Sequence, residues 1–82
     1  MFTYKTKGTC SSKIEFDVAD NKITHLAFYG GCRGNLTGIC AICLNKDIDE
    51  IINLFSGIEC RGKTSCPDQL AKALTEYKML NN

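Results

Sequence analysis

Apolar and polar residues alternate along the first third of the chain, which predicts three short β-strands. Asp20-Asn21 separates the second strand from a third over 22–29, and both residues tolerate the positive φ of a hairpin turn. We therefore expect an antiparallel meander, with one face left for helices to cover. The alternating apolar positions are Phe2 and Tyr4, then Ile14, Phe16 and Val18, then Leu26 and Phe28.

Apolar residues recur at helical spacing through the rest of the chain. Asp47, with Glu50 three residues on, is typical of a capping box that opens a helix, and Gly57 is placed to end it. The order β-β-β-α-α-α predicts an α+β fold, a three-stranded antiparallel sheet with helices packed on one face. The apolar helical positions are Leu36, Ile39, Cys40, Cys43 and Leu44, then Ile48, Ile51, Ile52 and Phe55, then Leu70, Ala73, Leu74 and Tyr77.

The third helix is expected to run over 67–78, because Pro67, the only proline, suits the first helical position. Cys66 is then the expected N-cap, close to the positive end of the helix dipole and to unpaired N–H groups. Both favour the thiolate, which is the form that binds metals or attacks electrophiles. The sequence therefore marks Cys66 as a candidate site residue.

Length and charge narrow the classes of function. The 82 residues fit one domain over 1–82, and a net charge of +1 gives no electrostatic footprint for nucleic acid or an anionic membrane. The apolar runs are far shorter than the roughly 20 residues of a membrane span, and the N-terminus lacks the apolar stretch of a secretory signal. We expect a cytoplasmic protein that binds neither nucleic acid nor membrane.

The six cysteines are the main chemical signal. In a cytoplasmic chain they are typical of metal ligands, reactive thiols or small buried residues, because the reducing cytosol disfavours disulfides. Cys40 and Cys43 fall in mid-helix on the apolar side, and we interpret them as core residues. The other four lie in loops or at a helix start, where four thiolates can form the tetrahedron that zinc prefers. These four are Cys10, Cys32, Cys60 and Cys66.

A glycine-rich, basic turn before the first helix is a second candidate site. Such a turn at a helix N-terminus can hold a phosphate or a nucleotide. The other interpretation is that its glycines form a tight turn that presents Cys32. The candidate anion-binding residues are Gly31, Arg33, Gly34 and Asn35.

Thiol chemistry is a third possibility, with Cys66 as a nucleophile or as a redox partner of Cys60. A cysteine nucleophile needs a general base, and the only histidine is His25. His25 falls in the third strand, on the face opposite Leu26, so we expect a solvated strand residue rather than a base.

Three blocks of the chain resemble the TSCPD domain family, in particular its stand-alone four-cysteine members. The blocks are YKTKGTC over 4–10, GGCRGN over 30–35 and TSCPDQLA over 64–71. The resemblance implies that Cys10, Cys32, Cys60 and Cys66 are the metal ligands. The expected metal is zinc, with iron or an iron–sulfur cluster as the alternative.

A related domain lies at the C-terminus of adenosylcobalamin-dependent ribonucleotide reductases. The resemblance therefore implies an accessory or regulatory module whose partner is such a reductase or another protein. Ribonucleotide reduction needs a radical cofactor site and a substrate barrel far larger than 82 residues, so we expect no such activity from this chain alone. Its edge strands can pair, so the expected state is a monomer or a weak dimer.

The order of elements also resembles iron–sulfur scaffold proteins of the NifU/IscU type, whose three cysteines correspond to Cys10, Cys32 and Cys66. Those scaffolds carry an acidic residue after the first cysteine and a histidine before the last, whereas this chain has serine at 11, 12 and 65. Because Cys60 adds a fourth thiolate, the ligand set is closed. This departure favours a stable metal site over a device that transfers clusters.

Overall fold

The structure is a computed structural model that describes residues 2–9, 11–31, 33–58 and 65–80. Within these ranges three strands precede three helices, which confirms the α+β prediction and the order of elements. The elements are β1 (Phe2–Lys5), β2 (Ser11–Ala19), β3 (Lys22–Gly30), α1 (Arg33–Cys43), α2 (Ile48–Phe55) and α3 (Cys66–Leu80). In the same ranges, no helix is both long enough and apolar enough to cross a membrane.

The three strands form an antiparallel sheet in the order β1-β2-β3. Its β2–β3 turn is the predicted one, because Asp20 and Asn21 have φ values of 53° and 64°. Two consecutive positive φ values are the signature of a turn whose twist matches that of the flanking strands. The central strand β2 therefore pairs on both sides.

Two irregularities interrupt the alternation along the β2–β3 pair. Near the turn, Val18 pairs with Ile23 and Asp17 with His25, so β3 carries one extra residue there. At the other end, Ser11 pairs with Gly30 and Lys13 with Tyr29, so Ser12 is the extra residue on β2. A bulge shifts the alternation by one residue. The two bulges bring Ile23 and Ser11 to the buried face, which a strict period of two does not predict.

The helices cover one face of the sheet and close a single apolar cluster among the described residues. Phe16 at its centre contacts the rings of Phe2 and Tyr77, with centroids 5.1 and 5.8 Å away. α3 contacts β2, α2 packs on α3, and α1 lies against β3. The fully buried members include Ile14, Ile23, Cys43, Ile48, Leu70 and Leu74.

The second helix has the predicted cap residues, with one difference in its bonding. Asp47 is the N-cap, and its carboxylate accepts the N–H of Asp49 at 2.9 Å. In the predicted capping box that carboxylate accepts the N–H of Glu50 instead, so the observed bond is one residue earlier. Gly57, with φ of 84°, follows the C-cap and ends the helix as predicted. Leu44, predicted to extend the apolar side of α1, lies beyond its last residue and is 44% exposed.

Candidate functional site

The first turn of α3 is capped by Ser65, not by Cys66 as the sequence predicts. The Ser65 carbonyl accepts the N–H of Gln69 at 2.8 Å, and its hydroxyl accepts the N–H of Asp68 at 3.1 Å. A serine oxygen is a far better acceptor for these N–H groups than a thiol. Cys66 is consequently the first helical residue, and Pro67 is the second, where its missing N–H also has no helical partner.

Every buried polar side chain of the described residues belongs to this turn or touches it. Buried polar groups are tolerated when they are hydrogen-bonded, and within the described part of the chain no buried side-chain nitrogen or oxygen lacks a partner. Such a concentration of satisfied polar groups in a small domain fixes the positions of the segments that they bind. The four residues are Ser11, Ser65, Asp68 and Gln69.

The β1–β2 connection is bound to this turn on both sides of position 10. The N–H of Lys7 donates to Oε1 of Gln69 at 3.0 Å. Past position 10, Oγ of Ser11 lies 3.3 Å from Sγ of Cys66, within a buried pair. The same helical turn therefore contacts the chain three residues before Cys10 and one residue after it.

The loop that follows α2 is bound to the same turn through two further bonds. The N–H of Gly57 donates to Oδ1 of Asp68 at 2.7 Å, and the hydroxyl of Ser65 donates to the carbonyl of Ile58 at 2.6 Å. Nζ of Lys72 lies 3.3 Å from Oδ2 of Asp68 and balances the charge of this buried carboxylate. The last described residues before 59–64 are thus held at the start of α3.

The end of β3 joins the same region through the sheet. Gly30 pairs with Ser11, whose side chain contacts Cys66, and Gly30 lies two residues before Cys32. Gly30 and Gly31 have φ values of 78° and 82°, a conformation that other residues rarely adopt. These values agree with the interpretation that the glycines form a tight turn between β3 and α1.

The candidate anion-binding residues surround the N-terminus of α1. Arg33 is its first residue, Gly34 and Asn35 are exposed in its first turn, and this turn contains no acidic residue. A Cβ added at Gly34 meets no atom within 4 Å, so no close approach requires glycine there. Gly31 lines an open cavity of about 570 Å³ between β3 and α1. Anion binding by this loop stays a prediction.

One of the four predicted metal ligands is described. Cys66 is buried, with 8% of its surface exposed, whereas Cys10, Cys32 and Cys60 lie outside the described residues. Among the described residues, no three His, Cys, Asp or Glu side chains are grouped closely enough to hold a metal ion. The four-thiolate site therefore stays a prediction.

Cys40 and Cys43 have the surroundings of core residues. Cys43 is fully buried, and burial, with a smaller effect of nearby Cys40, raises the pKa of its thiol to about 11. Burial also raises the pKa of Cys40, although the N–H of Phe28 donates a hydrogen bond to its sulfur and partly offsets this effect. Both are free thiols that contribute to the apolar cluster. The core interpretation from the helical spacing is confirmed.

Three residues of this region were not singled out as site residues by sequence reasoning: Ser11, Asp68 and Gln69. Asp68 and Gln69 follow Pro67 directly, and polar residues in the first turn of a helix are common for reasons of capping alone. Their burial was the missing information. Nothing in the sequence predicted the burial of Ser11, because the alternation that starts at Ile14 assigns it to the exposed face.

A family model of the TSCPD domain matches residues 2–78, nearly the whole chain. The chain therefore belongs to the TSCPD domain family. No curated protein and no solved structure matches it.

Replacing Ser65 tests whether the capped turn holds the loop after α2. Ser65→Ala removes both the cap and the bond to the Ile58 carbonyl, and we expect it to lower the free energy of unfolding by roughly 1–2 kcal/mol. Urea unfolding measures the change. The control is Ser56→Ala, whose exposed hydroxyl donates to the Ile52 carbonyl within α2, and which should change stability by less than about 0.5 kcal/mol. Equal effects of the two variants would contradict the assignment.

Burial of Cys43 predicts a loss of stability at high pH. Its pKa is raised from the ordinary 9.0 to about 11, so the folded state keeps a proton that the unfolded state releases. The stability contribution is complete below pH 9 and decreases as the pH rises towards 11, by roughly 2 kcal/mol. We expect the free energy of unfolding to fall more steeply over this range in the native protein than in Cys43→Ala. Parallel pH profiles would show that this thiol does not contribute.

Proposed function

We propose that this chain is a metal-binding module in which Cys10, Cys32, Cys60 and Cys66 hold one zinc ion as thiolates. One observation carries the proposal: the first turn of α3, which contains Cys66, is hydrogen-bonded to the chain on both sides of position 10 and to the chain just before 59–64. The strand that leads to Cys32 pairs with Ser11 beside the same turn. The described residues next to Cys10, Cys32 and Cys60 therefore lie near the helix start that contains Cys66, which supports the proposal.

The surroundings of Cys66 suit a thiolate ligand. Its position in the first turn of a 15-residue helix gives it the positive end of the dipole, which favours negative charge. Four thiolates around a divalent zinc ion carry a net charge of about −2, so such stabilisation matters for a buried site. Ser11 supplies a hydroxyl 3.3 Å from the sulfur, a donor that a thiolate can use.

Zinc is the proposed metal because a four-thiolate set satisfies its tetrahedral preference and leaves no open position. Iron, or an iron–sulfur cluster, is the alternative occupant, since clusters are also held by four cysteine thiolates. A closed ligand set supports a stable site that contributes to folding rather than a labile scaffold. Metal binding would then be coupled to the order of the four segments.

The proposed role is accessory or regulatory rather than catalytic. His25, the only histidine in the sequence, is exposed on β3, five residues and roughly 17 Å along the strand from the Gly30 that pairs with Ser11. It is therefore poorly placed to be a base for Cys66. We propose the cytoplasm as its location and a ribonucleotide reductase or another protein as its partner. The resemblance of the chain to the C-terminal domain of adenosylcobalamin-dependent ribonucleotide reductases supports that partner.

Metal content tests the proposal directly. We expect elemental analysis of the purified protein to give about one zinc per chain, and chelation to reduce the order of the fold. Cys66→Ser should retain at least tenfold less metal, since a hydroxyl is a poor zinc ligand. Cys40→Ser is the matched control, because Cys40 packs against the apolar cluster and is not one of the proposed ligands. This variant should keep the native metal content.

Two results would overturn the proposal. One is well under one metal per chain in protein purified both aerobically and anaerobically. The other is an equal loss of metal from Cys66→Ser and Cys40→Ser. Iron in place of zinc, at the same stoichiometry and with the same response of the two variants, would retain the site and correct the metal.

A further inference from the structure

Ser11 and Cys66 form a buried polar contact between β2 and α3. Their side-chain atoms Oγ and Sγ are 3.3 Å apart, and the residues are only 4% and 8% exposed. In this pair either atom can donate while Cys66 is a thiol. A thiolate has no proton to give, so a metal-bound Cys66 can only accept. The proton of the pair must then come from Ser11.

We propose that Ser11 is a positioning residue that donates a hydrogen bond to the metal-bound thiolate of Cys66. This inference rests on the proposed function and adds a residue outside its four ligands. Hydrogen bonds to metal-bound sulfur orient the ligand and reduce the electron density that it gives to the metal. Ser11 therefore makes Cys66 a weaker electron donor than it is without that bond.

The bulge at Ser12 in β2 turns the side chain of Ser11 towards the sulfur of Cys66. With strict alternation, Ser11 and Lys13 would share the exposed face, because Ile14 and Phe16 define the buried face. The extra residue reverses this order and turns Ser11 inward. Ser12, which strict alternation would place on the buried face, is exposed instead, and its hydroxyl donates to the carbonyl of Tyr29 at 3.1 Å. Bulges are common where a side chain must be re-aimed next to a functional site.

Two threonines hold Ser11 in this orientation. The hydroxyl of Thr6 donates to the Ser11 carbonyl at 2.6 Å. The oxygen of Thr9 lies 3.2 Å from both the carbonyl and the hydroxyl of Ser11, so its proton can go to either. When Ser11 gives its own proton to the sulfur, its carbonyl and its hydroxyl oxygen both act as acceptors, and the single proton of Thr9 goes to one of them. The local network is thus compatible with Ser11 as the donor to Cys66.

Cobalt substitution gives a spectroscopic test on the intact chain. Cobalt(II) bound by thiolates absorbs through charge transfer from sulfur to the metal, and a hydrogen bond that stabilises the sulfur lone pairs raises the energy of this band. We expect Ser11→Ala to shift the band to longer wavelength and to weaken metal binding, measured by chelator competition, by about 10- to 100-fold. Ser11→Thr keeps the hydroxyl and should restore both properties.

Ser12→Ala is the matched control, since it removes the neighbouring exposed hydroxyl from the same bulge. It should leave both the band and the affinity at their native values. Loss of the band from Ser11→Ala together with its recovery in Ser11→Thr also supports the inference.

A native cobalt band that Ser11→Ala leaves unchanged would overturn the inference while retaining the metal site. Equal shifts in Ser11→Ala and Ser12→Ala would overturn it too, as would a Ser11→Thr protein that behaves like Ser11→Ala. Absence of any thiolate-to-cobalt band in the native protein would overturn the proposed function itself, and the inference with it.

Discussion

The hydrogen bonds of the first turn of α3 are the interactions on which the arrangement of the loops depends. Ser65 caps the turn and holds Ile58, Asp68 holds Gly57, and Gln69 holds Lys7. Each such bond contributes about 0.5–1.5 kcal/mol net, but a partner left unpaired in a buried place costs roughly 1–3 kcal/mol. Lys7, Gly57 and Ile58 are therefore held beside α3, because moving any of them away leaves a hydrogen-bonding group without its partner.

Hydrophobic periodicity predicted the strands and helices because each of them buries apolar residues at the regular spacing of its own secondary structure. The alternation of Ile14 and Phe16 and the helical spacing of Ile48 and Ile51 persist in the core. Local chemistry also predicted the turn at Asp20-Asn21, since few residues accept two positive φ values in succession. The same periodicity identified Cys43 as a core residue, which removed it from the candidate ligands.

The details of the candidate site needed the tertiary structure. The bulge at Ser12 depends on how β2 packs against its neighbours in the folded chain. The residue types at 11 and 12 do not predict it. Ser65 and Cys66 both precede Pro67, and only the hydrogen bonds distinguish the cap from the first helical residue. The burial of Asp68 and Gln69 depends on loops that lie far from them in sequence. Sequence reasoning could therefore single out Cys66 as a candidate but could not predict the hydrogen bonds around it.

The central proposal is that four cysteine-bearing segments meet at the first turn of α3 and bind one metal ion. X-ray absorption spectroscopy at the zinc edge, on the purified native protein, tests it most directly because it identifies and counts the atoms bound to the metal. The account predicts four sulfur ligands at about 2.3 Å and no nitrogen or oxygen ligand. Fewer than four sulfurs, with nitrogen or oxygen completing the shell, would contradict it.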